Sequence, residues 1–167
     1  MVEPILLPDQ DRALWDQLQI RRGMLALGRA RELAGAGGFY ALQAAIIACH
    51  AESRMAEDTN WRRIAALYAE LSALVRSPIV ELNRAIAIGM AEGPDMGLAI
   101  VDGLLGEPAL KGYHLLPSVR GDLLHKLGRY EEARAAFEAA ATLAGNRREQ
   151  ELLRRRAAKA ADAAISS

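Results

Sequence analysis

The chain is predicted to be all-α, a stack of antiparallel helix hairpins with an N-terminal helix and a C-terminal capping helix, on three observations. Hydrophobic residues make up 51% of its 167 positions and aromatics only 5%, so the apolar mass is alanine and leucine, the composition of packed helices rather than of a sandwich. Apolar residues recur at three-and-four spacing through most of the sequence, which places them on one face of a helix. Glycine and proline signals then interrupt that pattern at regular intervals. Strands are not expected. The length suits one compact domain or short solenoid over residues 9–167, preceded by an extended segment at 1–8.

Taken in order, Met1 to Pro8 is extended by its two prolines, and Ile5, Leu6 and Leu7 make it apolar enough to be a docking segment. Asp9 can cap a helix that runs to about Leu33 and ends in the glycines between Ala34 and Gly38. A helix near Tyr40 to Glu52 is apolar on most sides and is expected to be central. After the loop Ser53 to Asp58, Thr59 or Asn60 can cap a helix that keeps Trp61, Ile64, Ala65, Tyr68, Leu71 and Leu74 inward, closing a first hairpin over 39–75. Ser77-Pro78 starts the next helix, since serine accepts from exposed amides and proline at the first helical position has no amide to leave unpaired. Gly93-Pro94 breaks it near Met90. Asp95 is expected to cap a shorter helix carrying Ala99, Ile100, Leu104 and Leu105, which completes a second hairpin over 78–105.

The third hairpin, over 113–144, has the densest pattern. Leu116, Val119, Leu123, Leu124 and Leu127 share one face of its first helix; Ala133, Ala136, Phe137 and Ala140 share one face of its second. The turn falls at Gly128. Small residues at Gly121, Ala133 and Ala140 let the two backbones approach, while Tyr130 and Phe137 fill the space beside them. This order resembles a tetratricopeptide repeat, a helix-turn-helix unit of about 34 residues, and the pairs beginning at Pro78 and near His114 recur at close to that period. Pro117 stands where the repeat often has tryptophan. Asn146-Arg147-Arg148-Glu149 has the spacing of a capping box, and the helix it opens, over about 147–163, would cover the end of the stack with Leu153, Ala157, Ala160, Ala161 and Ala164.

Composition narrows function as well. Twenty-one basic residues balance twenty-one acidic ones, so no global charge holds the chain on nucleic acid or an anionic membrane. The opening Met1-Val2-Glu3-Pro4 lacks the form of a signal peptide, and no later segment approaches the length of a membrane span. A cytoplasmic protein with no membrane partner is expected. Cys49 is the only cysteine, which excludes an intramolecular disulfide and a zinc-thiolate cluster. His50, His114 and His125 fall on separate segments, none with a ligand at the i, i+4 spacing of a metal site. With no nucleophile elbow, phosphate loop or paired carboxylates, the chain is expected to be neither an enzyme nor a cofactor protein.

What remains are polar residues set in apolar helices: Gln43, His50, Asn83, Arg84 and Arg120. They either hydrogen-bond helix to helix and so fix packing angles, or line a concave groove for a peptide or acidic ligand, with Arg84 and Arg120 as donors. A methionine at Arg84 separates the two, because a groove would lose its partner while the fold persisted. Arg147, Arg148, Arg154, Arg155, Arg156 and Lys159 form a basic face on the final helix, read as solvated. It lacks the interleaved aromatics of a nucleic-acid surface.

The order of segments is more specific than any one repeat. Leu7-Pro8-Asp9-Gln10-Asp11-Arg12, Leu14-Trp15-Asp16, Tyr40-Ala41-Leu42-Gln43-Ala44-Ala45-Ile46, His50-Ala51-Glu52, Glu57-Asp58-Thr59-Asn60-Trp61, Ile64-Ala65-Ala66-Leu67-Tyr68, Ser77-Pro78, Leu82-Asn83-Arg84-Ala85 and Leu123-Leu124 through Leu127-Gly128-Arg129 follow one another. Together they resemble the C-terminal tetratricopeptide-like extension of a group of bacterial extracytoplasmic-function (ECF) sigma factors, over nearly all of the chain. Gly121 stands where these extensions usually have alanine, and Asn60 where aspartate is common. The resemblance implies a regulatory domain that docks on the sigma module in cis, on RNA polymerase or on a partner protein. DNA would be reached only through promoter-reading helices preceding residue 1. It also implies that Ile5, Leu6 and Leu7 belong to a linker packing against the DNA-binding part. The alternatives are a free-standing adaptor that binds a peptide or protein and, third, a small-molecule-binding helical domain or enzyme.

Overall fold

The computed structural model describes residues 38–52 and 59–167. Among them are seven α-helices and no strand: α1 (Phe39–Ala51), α2 (Trp61–Leu74), α3 (Pro78–Glu92), α4 (Pro94–Gly103), α5 (Leu115–Lys126), α6 (Tyr130–Leu143) and α7 (Arg147–Ser166). The all-α expectation holds. Two compact units divide the chain, Met1–Ala91 and Glu92–Ser167. The helix expected from Asp9, the docking segment Ile5-Leu6-Leu7 and the loop Ser53 to Asp58 lie outside the described residues.

In the first unit α1 packs on α2. Ala41, Leu42, Ala44, Ile46, Ala48 and Cys49 are all buried, a face wider than a single stripe, as suits a helix that is apolar but for Gln43 and His50. Asn60 is the cap of α2, its side-chain oxygen accepting from the Arg63 amide at 3.1 Å. Ile64, Ala65, Tyr68 and Leu71 are buried as expected, but Leu74 is exposed. It is the last helical residue, and the chain leaves at Val75 in an extended conformation, so the inward stripe ends one turn earlier. Ser77 starts α3 in the expected manner: its Oγ accepts from the Val80 amide at 3.5 Å, and Pro78 takes the first helical position.

In the second unit two expectations shift. Gly93, not Asp95, precedes α4 as its N-cap, because Pro94 already occupies the first turn. Asp95 sits inside that turn, where the helix dipole favours a carboxylate. The helix ends at Gly103, and its buried face is Gly97, Leu98 and Val101, with Ala99 and Leu105 exposed. An apolar set at i, i+1 and i+4 is as good a stripe as the one read from Ala99 onward, and packing against α5 decides between them.

The pair α5 and α6 matches its sequence closely. Leu116, Val119, Gly121, Leu123 and Leu124 are buried on α5; Ala133, Ala136, Phe137 and Ala140 are buried on α6. Pro117 falls in the first turn of α5, where its missing amide costs no intrahelical bond. The two helices pack on each other. The close approach occurs at Gly121, where a Cβ would stand 2.7 Å from the Phe137 ring. At the turn the Arg129 amide donates to the Leu124 carbonyl at 2.9 Å and the Gly128 amide to the His125 carbonyl at 3.0 Å. That pair of bonds is the Schellman closure of a helix, and it needs the left-handed conformation that Gly128 adopts at φ 77°. Gly128→Ala is expected to destabilise the protein by about 1 kcal/mol, read as a lowered denaturant midpoint.

Helix α7 lies on α6, burying Leu153, Ala157 and Ala160. Asn146 caps it, accepting from the Glu149 amide at 2.9 Å. The reciprocal half of a capping box does not form. The Glu149 carboxylate is turned instead to His114 Nε2, 3.3 Å away.

Candidate functional site

The first unit holds four of the five polar residues singled out from the sequence. Gln43 lies on α1 with its Nε2 enclosed and unpaired. His50, in the last turn of the same helix, is buried and sets its ring edge-on to Trp61 at the start of α2, with centroids 5.6 Å apart. The Trp61 indole N–H is also enclosed without a partner. Asn83 on α3 is completely buried, and neither its amide nitrogen nor its oxygen has a partner. Buried polar atoms are almost always paired in folded proteins. The enclosed, unpartnered side-chain atoms of the described residues all fall in this unit.

Arg84 is spoken for. Its Nε and Nη2 donate to the two carboxylate oxygens of Glu81, at 3.1 and 3.2 Å, and Glu81 also accepts from the Ser72 hydroxyl at the end of α2. Burial pushes the Glu81 carboxyl upward, but the hydrogen bonds from Arg84 and Ser72 outweigh it and hold the group below its ordinary value of 4.5. A depressed folded-state value means that this carboxylate stabilises the protein above its unfolded titration and ceases to do so as pH falls through the folded one. Glu81→Gln is therefore expected to flatten the acid side of the stability profile below about pH 4.5, measured as denaturant midpoints across a pH series. An unchanged acid slope would show that the Arg84–Glu81–Ser72 contact contributes nothing.

Arg120 belongs to the second unit. Its Nε donates to Asp102 at 2.9 Å, joining α5 to the end of α4. Both candidate groove arginines thus meet a carboxylate of their own unit. The i, i+3 spacing of Glu81 and Arg84 was a visible signal for one pair. Nothing in the sequence pointed to Ser72 or Asp102.

The histidine and cysteine expectations are refined in the same way. His114 has no carboxylate at helical spacing, yet folding supplies Glu149 through space. One pair is not a metal site, and among the described residues no group of three or more potential ligands gathers. Burial pushes the Cys49 thiol up, with a hydrogen bond from Arg63 acting against it. A raised thiol is a poor nucleophile.

Of the basic face, Arg147, Arg148, Arg154, Arg155 and Lys159 are exposed. Arg156 is not part of it. It is half-buried and lies 3.8 Å from Asp122 on α5. Burial raises the Asp122 carboxyl, and the charges of Arg156, Lys126 and His125 oppose that shift. Helical rotation explains the difference, since Arg156 adjoins Ala157 and Ala160 at the edge of the packed stripe. No described helix is long and apolar enough to cross a membrane.

An uncharacterized protein of Rhizobium meliloti (strain 1021) is 43% identical to this chain over 150 residues. The match covers 90% of this chain and 35% of that protein, so the chain spans about a third of the length of the curated relative it matches. No family model matches the chain, and no solved structure matches it.

Proposed function

We propose that this helical domain is a tetratricopeptide-like regulatory extension of a bacterial ECF sigma factor, and that it modulates transcription initiation by docking on the sigma module, RNA polymerase or a partner protein. The observation that carries the reading is the ordered set of segments from Leu7-Pro8-Asp9 to Leu127-Gly128-Arg129, which runs through both units. The similar R. meliloti protein supports it, because there the matching region accompanies a much longer stretch of chain. Intramolecular docking is the mechanism. The domain holds the sigma module in a competent or an inhibited arrangement, and a partner that binds one arrangement better shifts the balance. Gln43, His50, Asn83 and the apolar Ile5-Leu6-Leu7 segment are the residues proposed to take part.

Two measurements test it. An antibody raised against this domain should detect, in the native cells, a product far larger than 18.1 kDa. The separately made sigma module should bind the domain, and removing the domain should change transcription from the cognate promoter. Absence of binding together with unchanged transcription overturns the proposal. A native product of 18.1 kDa would favour a free-standing adaptor instead.

A further inference from the structure

We propose that the outer face of α7 is a docking seam for an acidic amphipathic helix of a protein partner. The chain as a whole is neutral, with 21 residues of each sign, but its charges are unevenly satisfied. At α6 the arginines are closed by glutamates: Arg129, which precedes the helix as its N-cap, by Glu132 at 2.6 Å, and Arg134 by Glu131 at 3.6 Å and Glu138 at 3.1 Å. Arg120 and Arg156 are held by Asp102 and Asp122. On α7, Arg147, Arg148, Arg154, Arg155 and Lys159 are exposed and enter no ion pair among the described residues. The acid that could have served them at the helix start, Glu149, is drawn to His114.

Spacing converts this charge into a surface. Arg148, Leu152, Arg155 and Lys159 follow one another at intervals of four, three and four residues, the repeat by which one helix presents a continuous seam to another. The stripe runs about 16 Å along the axis. Leu152 stands within it, 43% exposed, and an apolar side chain flanked by cations is what a helix with carboxylates on either side of an apolar residue would cover. A phosphate backbone would leave Leu152 wet, and α7 has no aromatic residue to stack on bases. A second copy of α7 would set cation against cation. The inference does not depend on the sigma-factor reading, since an adaptor could use the same seam.

The test uses the full chain and a synthetic helical peptide with glutamates placed to meet Arg148, Arg155 and Lys159 and a leucine placed to meet Leu152. A scrambled peptide of the same composition, a DNA duplex and anionic phospholipid vesicles serve as competitors. The patterned peptide is expected to bind about tenfold tighter than the scrambled one, with backbone amide shifts confined to α7. Arg148→Glu with Arg155→Glu, and separately Leu152→Asp, should each lower that affinity by about tenfold without altering helicity, because all three side chains are exposed. Equal binding of the scrambled peptide, tighter binding of the duplex or vesicles at the same ionic strength, or affinity that survives both variants would overturn the proposal.

Discussion

Phe137→Ala is expected to destabilise the protein by about 3–5 kcal/mol, the largest loss that any single truncation of the second unit should produce. The ring is 2% exposed and sits directly against Gly121 of α5. That glycine has no side chain with which to refill the space, so the cavity would persist. The companion change inverts with context. Gly121→Ala adds helix propensity worth about 1 kcal/mol, but its Cβ would enter the Phe137 ring at 2.7 Å, and overpacking of that kind costs about 1–3 kcal/mol. In the natural background the alanine should therefore be neutral to destabilising. In a Phe137→Leu background, where the ring edge is gone, the same alanine should stabilise. Chemical denaturation of the two single variants and the double variant completes the cycle. Additive effects would mean that the two positions do not share one packing contact.

Asn83→Leu is expected to stabilise the protein by about 1–3 kcal/mol, the cost of burying an amide that finds no partner. The two side chains branch at the same atom, leucine's methyls being the bulkier, and Asn83 is flanked in α3 by the buried Leu82, Ala85, Ile86 and Ala87. The gain should appear as a raised denaturant midpoint with unchanged slope. A loss of stability would show that water or another group pairs the amide in solution. A protein that keeps an unpaired amide at a fully buried position forgoes stability there, and such sites are commonly retained for function. The same variant should accordingly weaken whatever regulatory contact the first unit makes. Increased stability with full regulation would make Asn83 a neutral defect.

Local rules made much of the fold legible. The caps at Asn60 and Asn146, the start at Ser77-Pro78, the Gly128 turn and the faces of α2, α5 and α6 follow from chemistry within a few residues along the chain. The misreadings share a cause. Asp95 was a plausible cap and Ala99 to Leu105 a plausible face, but Pro94 begins the helix two residues earlier and the face that packs is Gly97, Leu98 and Val101. Leu74 satisfied the periodicity of α2 and is exposed all the same, because a pattern does not say where its neighbour ends.

The candidate site was less legible. That Gln43, His50, Asn83, Arg84 and Arg120 were anomalous could be seen from polarity alone, since polar residues in apolar helices need an explanation wherever they lie. What each one does could not. Arg84 meets Ser72 through Glu81, Arg120 meets Asp102, His114 meets Glu149, and Arg156 leaves the basic face for Asp122.

The sequence by itself determined that the chain is helical, where most helices start and stop, and which faces are apolar, because propensity, capping and periodicity act over a turn or two of backbone. Only the tertiary structure decided which charges are paired, which polar atoms are sealed away from water and which cations of α7 stay open. Those outcomes depend on distances between residues far apart in the chain, and an ion pair or a buried amide is made or left unmade by a few ångströms of packing.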